Sequence, residues 1–228
     1  IPLLLAGLFK KTEVLVAEGV RARIEGASLE LDSYEKTKEN NAFGFSSGFD
    51  RDFTRLDETV QSVVQTRLSQ TVQALGAFGL GTDLSGFSFS KRTEIKEGET
   101  FEGESEEVIR EALDSAIEYL SDGALKVFQK AGEGLSDTLN RLTTSIQAVN
   151  PAVNVFGGTM LDLTLDGAAA ASALVDLSGG LDTFAQKTEF VFENFLTNSE
   201  KMDIAKDNLN AVFDAIKDVD LPETHKDF

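Results

Sequence analysis

The run Gly19-Val-Arg-Ala-Arg-Ile-Glu-Gly26, followed by Ser28-Leu-Glu-Leu-Asp32, decides how this chain folds. Val20, Ala22 and Ile24 alternate with Arg21, Arg23 and Glu25. Leu29 and Leu31 alternate with Ser28, Glu30 and Asp32. A period of two places one set of side chains on one face of a pleated strand. Gly19, Gly26 and Asn40-Asn41 read as turns between such strands. Phe43, Phe45 and Phe49 share one parity as well. Thr12 to Phe49 is therefore expected to form an antiparallel β-meander with one apolar face.

The period then changes. From Asp52 to Leu75, the residues Phe53, Leu56, Val60, Val63, Val64, Leu68, Val72 and Leu75 follow spacings of three and four. That is a helix whose stripe should cover the sheet, stopped at Gly76. Leu84 to Ile95 returns to strand, with Phe87 and Phe89 inward. The acidic tip Glu97–Glu104 completes a hairpin over about residues 84–103. Ser105 reads as the cap of a helix over about 106–122, with Glu106 and Glu107 at its positive end. Phe128–Leu142 reads as one amphipathic helix with Gly132-Glu133-Gly134 in its middle. Glycine inside a helix costs about 1 kcal/mol against alanine, so two of them call for a tight helix approach or a break. Asn150-Pro151 should end that run. Asp166 reads as a cap for 168–177, which stops at Gly179-Gly180. Two further stripes, Leu181–Phe195 and Met202–Ile216, joined at Thr197-Asn-Ser199, suggest a helical hairpin. The expectation is an α+β fold: residues 1–122 form an α+β domain and 123–228 a helical region.

Composition narrows the function. The formal charge is −18, from 39 acids and 21 bases. That argues against a nucleic-acid groove, which needs clustered Lys and Arg, and against an anionic membrane surface as the main partner. With no cysteine, neither a disulfide nor a thiolate metal site is possible. The single histidine, His225, near the end of the sequence, leaves little room for a histidine-based triad. The apolar start Ile1–Phe9 is too short to span a bilayer. It lacks an initiator Met, so the chain is expected to begin inside a longer polypeptide.

Carboxylates are numerous but unorganised. Glu97, Glu99, Glu102, Glu104, Glu106 and Glu107 form the densest cluster and do not follow an EF-hand spacing. Gly76-Ala-Phe-Gly79-Leu-Gly81 lacks the dinucleotide order, and no Gly-Lys-Ser/Thr occurs, so there is no P-loop. No catalytic, cofactor or metal residue is assigned. Candidate partner-facing residues are Phe43, Phe45 and Phe49 on a strand edge, and Glu102, Glu104 and Glu106 on the acidic tip.

Three segments carry a resemblance. Phe128-Gln129-x-x-Gly132-Glu133-Gly134-x-x-Asp137-Thr138-Leu139-x-Arg141 resembles the "FQ-x-x-GEG-x-x-ETL-x-R" run in the C-terminal region of tail tape measure proteins of long-tailed bacteriophages. Leu174–Phe184, with Gly179 and Gly180, runs on to Phe195–Lys201, which is similar to "NFYT-x-x-EK", with Leu196 in place of the tyrosine. Leu221–Phe228, with Pro222 and Thr224, is similar to "LP-x-T-x-x-x-F", and Ile1–Lys11 resembles the apolar end that precedes this region. The resemblance implies a non-enzymatic virion component without cofactors, held in the phage tail tip after assembly in the host cytoplasm. Its implied partners are tail-tip, baseplate and distal tail proteins, as a homotrimer within the tail. Its implied roles are tail assembly, tail length determination and genome ejection. In the family, Leu221–Phe228 runs into more helix, so Phe228 is not expected to be the natural terminus. A cell-wall hydrolase domain and a soluble acidic adaptor are the alternatives from other classes.

Overall fold

The computed structural model describes residues 12–40 and 46–206. The expectations for Ile1–Lys11, the turn at Asn41, Phe43, Phe45, the end of the last helical stripe, and Pro222 and Thr224 lie outside the described residues. The fold class is α+β, as the periodicities require. The chain divides into two compact units: Ile1–Thr143 with Leu163–Leu165, and Thr144–Asp162 with Asp166–Phe228. Residues 123–143 thus belong with the sheet.

In the first unit four strands form one antiparallel sheet in the order β3-β2-β1-β4. β1 (Thr12–Glu25) and β2 (Ser28–Asn40) make a hairpin through Gly26, whose φ of +58° suits only glycine without strain. β3 (Ser46–Arg55) pairs with β2, and β4 (Ser88–Glu94) pairs with the far side of β1. The register sets Ala22 opposite Leu31 and Ile24 opposite Leu29, so the alternating apolar residues share one face. Val20, Ala22, Ile24, Leu29 and Leu31 are all buried there.

Two helices cover that face. α1 (Glu58–Ala77) lies on β2 and contributes Val64, Leu68 and Leu75. α2 (Phe101–Ser121) lies on β1 and β4 and contributes Val108, Ile109, Ala112, Ala116 and Ile117. Each large aliphatic side chain so buried contributes about 1.5–3 kcal/mol.

α1 also completes the sheet's hydrogen bonding. β3 ends at Arg55, opposite Asp32, leaving the start of β2 without a strand on that side. Leu31 N donates to Gln61 Oε1 at 3.1 Å and Leu29 N donates to Gln65 Oε1 at 2.9 Å. The same glutamines donate back to Leu31 O at 2.5 Å and Ala27 O at 2.8 Å. Four residues of helix rise about 6 Å and two residues of strand about 6.6 Å. Glutamines one turn apart therefore match alternate strand residues.

The start of α1 corrects the reading from Asp52. Residues up to Arg55 pair as strand, and Asp57 Oδ1 caps the helix by accepting from Thr59 N at 2.9 Å and Val60 N at 3.2 Å. The left-handed stop is Gly79, not Gly76. The expected hairpin over 84–103 is also absent. β4 is a single strand on β1; of the acidic segment, Glu97 and Gly98 form a turn and Phe101–Glu104 are the start of α2. Thr100 Oγ1 accepts from Gly103 N at 3.1 Å, so Thr100 and not Ser105 is the cap.

Gly19 is no turn; β1 runs through it. On the open face the Tyr34 ring crosses from β2 over Gly19, and its Oη donates to Thr93 O at 3.1 Å. A Cβ on Gly19 would lie 2.5 Å from that ring and 2.2 Å from Thr93 O. Tyr34 is buried, and this burial raises its phenol pKa.

Beyond α2, Asp122 and Gly123 adopt positive φ, and a 3-10 turn follows over Ala124–Phe128. α3 (Leu135–Val155) buries Leu135, Leu139, Leu142, Ile146 and Val149 along one stripe. It continues through Pro151, contrary to the expected stop, giving up one backbone bond there. In the second unit Asn150 clasps the backbone of Leu161 through two hydrogen bonds of 2.8 and 2.9 Å. α4 (Leu165–Ser178) starts a turn earlier than Asp166 suggested, and α5 (Leu181–Phe195) has no buried residue. A further helical stretch covers 198–206.

Gly19→Ala is expected to lower stability by about 1–3 kcal/mol, because the added methyl meets both Tyr34 and backbone. Tyr34→Phe should cost only about 1 kcal/mol, the single hydrogen bond. Chemical denaturation of the two variants decides the order.

Candidate functional site

The residues around Gly132-Glu133-Gly134 converge on one carboxylate. The chain leaves the 3-10 turn at Phe128, reverses over residues 129–134 and enters α3 at Leu135. The expected continuous helix is thus a turn between two helical segments. Glu133 accepts from Lys130 N at 3.1 Å, Thr138 Oγ1 at 3.0 Å, and Arg141 Nε at 2.7 Å and Nη2 at 2.9 Å. Arg141 Nη2 also donates to Phe128 O at 2.7 Å, and Gln129 Nε2 donates to Glu133 O at 3.1 Å. Phe128, Gln129, Glu133, Thr138 and Arg141 therefore form one closed knot, and Leu139, within the same motif, is buried. The Arg141 guanidinium, followed by the backbone and Thr138 hydrogen bonds, lowers the Glu133 pKa from 4.5 to about 2 despite some burial.

The two glycines do different work: the expected close approach is present at Gly134 and absent at Gly132. Gly132 has φ +86° and open space where a Cβ would be, so it is needed for conformation. A Cβ on Gly134 would lie 2.6 Å from Asp114 Oδ2. Asp114, on α2, accepts from Ser136 N at 2.7 Å and so caps the start of α3. Asp137 Oδ2 accepts from Gly134 N at 3.1 Å. Nothing in the local sequence marks Asp114, which lies 22 residues from Ser136.

The second motif is likewise a joint. Gly179 and Gly180 adopt φ of +95° and +101°, and Gly180 N donates to Val175 O at 2.9 Å, closing α4. Thr197 and Glu200 form a reciprocal cap: Thr197 N donates to Glu200 Oε2 at 2.8 Å, and Glu200 N donates to Thr197 Oγ1 at 3.3 Å. Lys201 Nζ donates to Glu193 O at 2.8 Å, closing the end of α5.

The acidic candidates do not act as one surface. Glu104 is buried and accepts from Thr93 Oγ1 at 2.5 Å. Glu106 is paired with Arg67 at 2.9 Å, leaving Glu102 and Glu107 exposed. Among the described residues no group of three acids or histidines is placed to hold a metal. A groove of about 450 Å³ in the first unit is lined by Arg67, Glu106, Arg110, Ser136, Asp137 and Thr143. Both of its carboxylates are engaged, by Arg67 and by Gly134 N respectively. Among the described residues no helix is long and apolar enough to cross a membrane.

Phe49 stands exposed on edge strand β3, with Lys36 Nζ 5.2 Å from its ring centroid. Comparison with protein-family models, curated proteins and solved structures finds no match.

The Glu133 knot has a pH signature. A carboxylate lowered from 4.5 to about 2 stabilises the fold fully above pH 4.5, and this is lost as pH falls through about 2. The contribution is about 2–3 kcal/mol, discounted for partial exposure. Glu133→Gln should lower the urea midpoint at pH 7 and flatten the stability profile between pH 4.5 and 2. The glycines give a second test. Gly132→Ala should cost about 1–2 kcal/mol through its left-handed conformation. Gly134→Ala should cost less in an Asp114→Ala background than alone, a coupling that a double-mutant cycle measures.

Proposed function

We propose that this chain is a structural virion protein, the tail-tip-anchored C-terminal part of a phage tail tape measure protein. The observation that supports this reading is the use of the motif residues. Phe128, Gln129, Glu133, Thr138 and Arg141 form one knot, and Gly179, Gly180, Thr197 and Glu200 shape helix ends. Residues committed to chain reversals fit a protein whose task is shape, and they appear in the order the resemblance calls for. The chain would be held by tail-tip and baseplate proteins during tail assembly and released at genome ejection.

An anchor that must let go favours polar contacts, which are reversible and screened by salt. Glu102 and Glu107 are the acidic side chains of α2's first turns left exposed and free of a close ion pair, so they are the docking charges in this reading. Immunogold labelling of purified virions with an antibody to this chain should mark the tail tip; label absent from virions, or on the capsid, overturns the proposal. Glu102→Lys with Glu107→Lys should reduce tip assembly, most at low salt, with the isolated chain folding normally by circular dichroism.

A further inference from the structure

β3 is an outer strand of the sheet, and among the described residues nothing pairs with its free edge. Its sequence Phe49-Asp-Arg-Asp-Phe-Thr-Arg55 puts Phe49, Arg51, Phe53 and Arg55 on the open face in strict alternation. Exposed edges are usually blunted by proline, by a bulge or by charged side chains. The charges of β3, Asp50, Arg51, Asp52 and Arg55, sum to zero, so they do not make the edge repel a copy of itself by net charge. β3 contains no proline, and its pairing irregularity lies at the Asn40 end, outside Phe49–Arg55. Phe49 is 57% exposed and Phe53 37%. Each ring already carries a cation from within the sheet: Lys36 on Phe49 and the Arg21 guanidinium 3.7 Å from the Phe53 centroid.

The alternation is self-complementary. Two copies of β3 laid antiparallel about Asp52 set Phe49 against Arg55 and Arg51 against Phe53, on both sides of the axis. Every aromatic ring then meets a guanidinium, and every guanidinium a ring. Such cation–π contacts strengthen when desolvated. Asp50 falls opposite Thr54, and only Asp52 meets its own kind. Net charge points the same way. Two copies of a chain with formal charge −18 repel each other over most of their surface. On the open face, basic side chains outnumber acidic ones, so approach is least opposed there. A two-fold contact also satisfies the free backbone groups of both edges at once.

We infer that β3 is a self-association edge, joining two copies of this chain into one continuous eight-stranded sheet with Asp52 on the two-fold axis. This goes beyond the tail-tip reading and does not depend on it. It also predicts a closed pair, whereas the tape measure resemblance implies three copies.

The absence of cysteine makes the register directly testable. Asp52→Cys places two thiols face to face across the axis, within disulfide reach. Mild oxidation should give a covalent dimer, while Asp50→Cys and the surface control Asp83→Cys stay uncrosslinked. Light scattering of the unmodified chain at micromolar concentration should give twice the 24.7 kDa mass of one copy. Arg51→Glu should raise the dissociation constant about tenfold or more, since each Arg51 contact occurs twice. Asp52→Thr should tighten the pair by removing the like-charge contact. The two variants change exposed or edge positions, so circular dichroism should show both folded. A monomer, a trimer, or equal crosslinking at positions 50 and 52 overturns the inference.

Discussion

The structure depends on the burial of one face of β1. Val20, Ala22 and Ile24 have no solvent exposure, and β1 is an inner strand, paired with β2 on one side and β4 on the other. Once that face is committed, α1 and α2 have one place to go, and the other sheet face is left to polar and aromatic groups. Register carries the consequence outward. A slip of one residue would turn Arg21 and Arg23 into the core and expose Ile24. The glutamines of α1 add a second lock, because Gln61 and Gln65 recognise backbone positions, not side chains.

The open face is held by a different device. The Tyr34 ring fills the gap left by Gly19, Phe53 packs beside it, and Arg21 bridges Phe53 to Asp32. An arginine stacked on a ring and hydrogen-bonded to a carboxylate keeps its charge hydrated at the rim while its stem covers apolar surface. This explains how a sheet face on which no helix of the first unit lies, among the described residues, can still bury a tyrosine.

Much of this was legible in the sequence because it is periodic. The alternations at Val20–Ile24 and Leu29–Leu31, the helix over the heart of 58–77, and the Gly179-Gly180 break follow from local pattern. What escaped depends on contacts distant in sequence. Gly19 looked like a turn because only the ring of Tyr34 explains it. The acidic segment looked like a hairpin tip because its glycines hid the cap at Thr100. Pro151 looked like a terminus, yet a proline in a helix removes one bond and does not forbid the next turn. At the motif, residue types were singled out correctly by number, but their geometry was not: Gly132 answers to backbone conformation, and Gly134 to a carboxylate on another helix.

Both tyrosines of the chain lie in the first unit, Tyr34 over the sheet and Tyr119 stacked on Phe87 at 5.0 Å, and there is no tryptophan. The second unit, which holds phenylalanine but neither of these, is therefore dark when excitation is set at wavelengths that tyrosine absorbs and phenylalanine does not. Tyrosine fluorescence from this chain is an intrinsic reporter of the sheet-bearing unit alone, whereas far-ultraviolet dichroism, dominated by helix, sees both. A difference between the two signals on heating would separate the melting of one unit from that of the other without any label.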